Sequence, residues 1–218
     1  MPRPTLTAAA IVLASTTSAQ PPPDYGHNFI TITDPNNPAY DNEDPFARLN
    51  GRASVGYEFR MSRTEITTTQ WVEFMNAVDS AGGSGGAFEP LFWGGRRQNG
   101  AWVVGDGLGN LPLGGVSWRE AAIYCNWLHN GKPTDSLAGF QSGAYDVNTF
   151  TDVPGSNVLV NDQTTRSPGA QFWIPSLDEW LKAAHFDPDK NGTGDGGWWL
   201  YNDGSDTQPT PGLPGVGE

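Results

Sequence analysis

Apolar and polar positions alternate near the start of the chain and then change period. Phe29-Ile-Thr-Ile32 alternates like a short strand. The run Val55-Gly-Tyr-Glu-Phe-Arg-Met61 puts Val55, Tyr57, Phe59 and Met61 on one face and Glu58 and Arg60 on the other, which predicts a second strand. Further on, apolar residues recur at i, i+3, i+4 and i+7: first Trp71, Phe74, Met75 and Val78, then Ala121, Tyr124, Cys125 and Leu128. A third set, Leu177, Trp180, Leu181 and Ala184, has helical spacing of the same kind. Each set predicts an amphipathic helix with the stripe turned to the core.

The starts of these helices share one chemistry. Thr67-Thr-Thr-Gln70, Ser117-Trp-Arg-Glu120 and Ser176-Leu-Asp-Glu179 are capping boxes, in which a hydroxyl accepts from an orphan backbone N–H while the Glu or Gln three residues on reaches back. Gly82-Gly83, Gly131 with Pro133, and Pro188 supply the stops. Between the helices, residues 88–115 hold one strand candidate, Ala101-Trp-Val-Val104, and residues 132–169 form a long polar stretch without periodicity. A stretch of that length inside a domain is usually functional or disordered. No internal repeat or heptad is present. The pattern predicts one α+β domain over residues 28–218, with few helices, short strands and much irregular loop.

Ahead of that domain, residues 1–19 carry a basic residue, Arg3, then small and apolar residues ending Thr17-Ser18-Ala19. That order predicts a secretory signal peptide cut after Ala19, leaving a Pro-rich tether at residues 20–27 and an exported, periplasmic or extracellular protein. The apolar run falls short of the ~20 residues a membrane-spanning helix needs. Twelve Lys and Arg against 24 Asp and Glu give a formal charge of −12, which repels phosphate backbones and anionic lipid, so nucleic acid and membrane surfaces are poor partner candidates. Cys125 is the single cysteine, so no intrachain disulfide forms and packing must hold the fold. Nine Trp, ten Phe and six Tyr provide the area for it, while 28 Gly and 18 Pro place much of the backbone in turns.

Candidate chemistry is sparse. His27, His129 and His185 show no metal-ligand spacing among themselves. His129 and His185 fall in the last turns of predicted helices, where imidazolium complements the dipole. Neither a Gly-x-Ser-x-Gly elbow nor a phosphate-cradling Gly-rich loop occurs. The sharpest local signal is Asp187-Pro-Asp-Lys-Asn-Gly-Thr-Gly-Asp195. Asp187, Asp189, Asn191, Thr193 (through its carbonyl) and Asp195 offer oxygens at alternate positions with glycine at the sixth, the layout of a calcium loop. Position 12 is Trp198 rather than a bidentate Glu, so a weak calcium site or an ordinary solvated turn both fit.

The capped helices also carry a resemblance. Arg63-Thr-Glu-Ile-Thr-Thr-Thr-Gln-Trp-Val-Glu-Phe-Met-Asn-Ala-Val78, Leu113-Gly-Gly-Val-Ser-Trp-Arg-Glu-Ala-Ala-Ile-Tyr-Cys-Asn-Trp-Leu128 and Phe172-Trp-Ile-Pro-Ser-Leu-Asp-Glu-Trp-Leu-Lys-Ala-Ala184 resemble, in order, three sequence blocks of the formylglycine-generating enzyme (sulfatase-modifying factor) family. His129-Asn-Gly-Lys-Pro133, Gly143-Ala-Tyr145 and Tyr201-Asn-Asp-Gly-Ser-Asp206 extend the likeness toward its secreted bacterial members. The resemblance implies a C-type-lectin-like α+β fold. For complete members it also implies oxidation of a peptide cysteine to formylglycine, with oxygen and a copper ion held by two cysteines near the C-terminal end of the domain. Soft thiolates suit Cu(I). This chain carries no such pair, so it is expected to be a C-terminally truncated and inactive form, with no catalytic residue assigned. The competing expectation is a non-catalytic extracellular module that binds a protein or peptide on the same scaffold. Cys125, mid-helix on an apolar stripe, reads as a packing residue.

Overall fold

The computed structural model describes residues 21–41, 48–155 and 160–210; the expected leader, residues 1–19, lies outside the described residues. The architecture is mixed α and β, with three separate two-stranded sheets among the described residues. Strand β1 (Phe29–Ile32) forms as the alternation predicts and pairs antiparallel with β2 (Phe59–Ser62), Phe29 opposite Ser62 and Ile32 opposite Phe59.

The second strand is shorter than its pattern. Val55 to Glu58 is not strand, because the buried Asn37 takes over that backbone: its Oδ1 accepts from Val55 N at 3.1 Å and its Nδ2 donates to Ala53 O at 2.9 Å. The chain bends at Gly56 and Tyr57, and Tyr57 is turned outward instead of joining Val55 and Phe59.

Helices α1 (Thr68–Ser80) and α2 (Trp118–His129) start at the predicted capping boxes, with Thr67 and Ser117 as N-caps. Both end in the double hydrogen bond of a Schellman motif. Gly82 N donates to Asp79 O and Gly83 N to Val78 O; Gly131 N donates to Leu128 O and Lys132 N to Trp127 O. Gly82 and Gly131 sit at φ 87° and 82°, where a side chain would be strained. The stripes of α1 and α2 face each other. Trp71 stacks on Tyr124 at 5.2 Å, and Phe74 meets Trp127 edge-on at 5.5 Å, forming the main core. Ala121 alone of the α2 stripe is only partly buried.

A hairpin of β3 (Gly95–Gln98) and β4 (Ala101–Val104) lies on α1. Asn76 exchanges two hydrogen bonds with the backbone of Trp102, whose indole N–H reaches Asp79 Oδ2 at 2.9 Å. The stretch expected to be featureless is in fact tied down. It contains the short helix α3 (Ala138–Gln141), and Phe140, Ala144 and Tyr145 are buried in it. The fully buried Asn126 of α2 holds it by donating to Phe140 O and Tyr145 O and accepting from Tyr145 N. Arg119, about two helical turns earlier, forks onto Asp162 and reaches Asp152.

Helix α4 (Leu177–His185) has its predicted cap at Ser176 but not its predicted packing. Leu177 and Trp180 are about half exposed, while the polar Glu179 and Lys182 are buried with Leu181. The helix is rolled so that its charged side faces the protein. A two-stranded hairpin, β5 (Phe186–Asp187) with β6 (Gly197–Trp198), follows directly. Among the described residues no helix is long and apolar enough to cross a membrane.

Candidate functional site

Between β2, α2 and α4 runs an open trough of about 1030 Å3. Its apolar wall explains how α4 is rolled: Trp180, Ala183 and Ala184 line the trough, opposite Ala121 and Tyr124 of α2. Of the stripe expected to pack into a closed core, Trp180 and Ala184 therefore look into this space, while Leu181 is buried in a core cluster with Ala53 and Trp198. The third wall is β2, and every residue from Phe59 to Ile66 contributes to it. A strand presenting one face would contribute alternate residues only. The unbroken run, together with Phe29 and Ile30 of β1, shows that the trough follows the β1–β2 ribbon and the chain that leaves it. Because β2 pairs with β1 alone, its N–H and C=O groups on the far side have no strand partner among the described residues. An edge of that kind is a template for another extended segment.

Two titratable side chains line the trough from other elements. His27 is 4 % exposed, and its Nε2 lies 3.2 Å from the Tyr124 hydroxyl. Burial holds the imidazole below its ordinary pKa, against the pull of Asp24, which keeps it neutral. Asp24 itself caps the backbone at Asn28 and Phe29. Cys125 is 8 % exposed, and burial pushes its thiol up to about 12. A thiol so placed supplies no thiolate at neutral pH.

Glu179, behind the trough, is the most heavily bonded carboxylate. One oxygen accepts from Tyr57 Oη (2.8 Å), Arg166 (2.9 Å) and Trp173 Nε1 (3.1 Å), and the other from Ser176 N at 2.7 Å. The guanidinium carbon of Arg166 lies over Trp173, 3.8 Å from the ring centre. Burial would raise the carboxyl pKa, but the Ser176, Tyr57 and Arg166 hydrogen bonds outweigh it and hold it below the usual range. This is a capping residue turned into an anchor. Lys182, also buried, donates to Asp34 O at 2.7 Å.

Of the predicted calcium residues, Asp187 ends β5 and is half-buried, while Asp189, Asn191, Thr193 and Asp195 lie in the exposed loop that leads to β6. The carboxylates of Asp187 and Asp189 are already in use. Asp187 accepts from Asp189 N (2.9 Å) and from Trp199 Nε1 (3.1 Å); Asp189 accepts from Gly194 N at 2.7 Å. Asn191 donates to Gly196 O, and Asp195 takes part through its backbone. No group of three or more His, Cys, Asp and Glu able to hold a metal ion occurs among the described residues. His129 and His185 stand in the last turns of α2 and α4, as expected, and each also makes a contact beyond its helix. His129 Nδ1 accepts from Gln171 N at 3.1 Å, and His185 Nδ1 lies 3.1 Å from Trp199 O, so each ties its helix end to a later segment.

An α+β domain with capped helices around an aromatic trough is the class the geometry defines. The particular family follows from sequence: the sulfatase-modifying factor enzyme 1-like domain matches residues 31–210, and the chain belongs to that family. No curated protein and no solved structure matches the chain. The trough was missed by sequence reasoning. Its one signal was Trp180 beside Ala183-Ala184, an aromatic among small residues on a stripe otherwise read as core.

Proposed function

We propose that this is an exported sulfatase-modifying-factor-type domain on a C-type-lectin-like scaffold, whose trough receives an extended polypeptide segment along the edge of β2. The observation that carries the reading is the pairing of an unpartnered strand edge with an apolar trough. The edge supplies main-chain hydrogen bonds and the trough accepts alternate side chains, which is how strand addition recognises peptides. Few helices, two-stranded sheets and long irregular segments support the scaffold assignment.

The copper chemistry of complete family members does not fit the residues present. Soft-ligand binding of Cu(I) calls for paired thiolates, and the chain's one thiol is buried and protonated. We therefore assign the 218 residues no cysteine-to-formylglycine turnover of their own.

Trp118, Trp173 and Trp180 on the trough wall provide the readout. Titration with extended peptides alternating apolar and polar residues is expected to shift tryptophan emission and saturate; no shift with any of them overturns the binding reading. Reading the gene past the codon for Glu218 separates delivery in cis from delivery in trans. An alternating apolar run there that protects the trough when co-expressed makes it intramolecular. Mass analysis of a cysteine peptide under oxygen and copper tests inactivity, and turnover lost in Cys125→Ala would overturn it.

A further inference from the structure

We propose that Asn99 is a self-modifying position, converting to aspartate and isoaspartate through attack by the backbone nitrogen of Gly100. Asn-Gly occurs at residues 50–51, 99–100, 130–131 and 191–192, so local sequence does not rank these pairs. The structure does. Attack needs the glycine N–H to be unengaged and the asparagine amide to turn toward it. Gly51 N is bonded to Tyr40 O at 2.8 Å, Gly131 N to Leu128 O at 3.1 Å and Gly192 N to Asp189 O at 3.0 Å. Asn130 Nδ2 donates to three carbonyls, those of Asn126, Gly139 and Ser142, and Asn191 Nδ2 to Gly196 O.

At the β3–β4 tip neither group is held. Gly100 N and the Asn99 side chain have no hydrogen-bond partner among the described residues, and both residues are exposed. Arg97 donates to Gly100 O at 3.3 Å, the carbonyl of the residue whose own nitrogen must lose its proton and one peptide beyond it, so a guanidinium stands nearby. A nearby cation favours the deprotonated form.

The chemistry needs water and no cofactor. Base removes the Gly100 amide proton, the nitrogen bonds to Asn99 Cγ, and the Cγ–Nδ2 bond breaks to release ammonia. Water then opens the five-membered imide at either carbonyl, giving aspartate or isoaspartate. The second product adds a backbone atom to a two-residue turn in which Asn99 and Gly100 both sit at positive φ, 51° and 86°. It therefore strains the hairpin that fixes Trp102 on α1.

The test is incubation of the folded chain at mildly alkaline pH with peptide mapping over time. The amide-to-acid mass change is expected at Asn99 first, several-fold ahead of Asn50, Asn130 and Asn191, and slowed in Arg97→Gln. In denaturant the four rates are expected to converge. Another Asn-Gly pair leading in the folded protein, or the same order persisting in denaturant, overturns the proposal.

Discussion

Cys125 and His27 face the trough from different elements, and burial keeps both uncharged for the same reason: a low-dielectric wall penalises the ionised form. The consequences for pH run in opposite directions. The Cys125 thiol, raised from an ordinary 9.0 to about 12, adds stability that is full below pH 9.0 and is lost as pH climbs toward 12. His27 is depressed from 6.5, so the unfolded chain binds the proton more readily than the native one. Its contribution is present above pH 6.5 and disappears as pH falls through the lower native value. Denaturant midpoints measured from pH 7.5 downward are therefore expected to drop below about 6.5, the ordinary imidazole range, and His27→Gln should flatten that part of the curve. A slope unchanged by the substitution would show that His27 is not the group responsible. Tyr124 stands or falls with it, since their 3.2 Å contact orients the imidazole.

At the scale of elements, the α4 cap invites a sharper test. Glu179→Gln keeps the volume but leaves Arg166 without its carboxylate partner beside a buried site. Removing one member of a buried pair costs on the order of 3–5 kcal/mol, and the exposed share of Arg166 places the expectation near the low end. Ser117→Ala, which removes an N-cap hydroxyl at an exposed helix start, is expected to cost about 1 kcal/mol. Equal midpoint shifts for the two would sink the distinction. The β5–β6 loop gives a third comparison. Calcium must displace Trp199 Nε1 and two backbone N–H groups from Asp187 and Asp189. Binding is therefore expected to be weak, on the order of 10⁻³ M, with a small rise in melting midpoint in millimolar calcium that Asp187→Ala removes. Identical curves with calcium and chelator would leave the loop an ordinary turn. These elements also show what the sequence made legible. Helix starts were readable because a capping box is chemistry within four residues. Strand β3 was not, since Arg96, Arg97 and Gln98 are exposed and leave no alternation, although Asn99-Gly100 marked its turn. The ordering of residues 138–145 depends on Asn126, a contact distant in sequence. Periodicity gave the stripe of α4 but not what lies opposite it, and the candidate site depends on that missing fact.

For the whole molecule, the trough is a break in the core, lined by Trp71 and Tyr124 of the α1–α2 cluster and by Cys125, Trp118 and Trp173 of a second cluster. Monomeric proteins rarely leave contiguous apolar surface beyond a few hundred Å2 uncovered. The chain alone should consequently be less stable than a form in which a strand fills the trough, and it should bind dyes that report apolar surface. Ala184→Glu isolates this effect. Position 184 lines the trough on α4, Glu is a good helix former, and a charge there makes the wall unfavourable for apolar ligands without touching the Glu179 anchor. The variant is expected to keep its helical content, lose most dye fluorescence and resist heat-induced association. An extended peptide that occupies the trough should do the same to the parent while raising its melting midpoint by mass action. It should have no such effect on Ala184→Glu. Dye binding that persists in the variant and is indifferent to peptide would place the exposed apolar surface elsewhere and remove the basis for strand addition along β2.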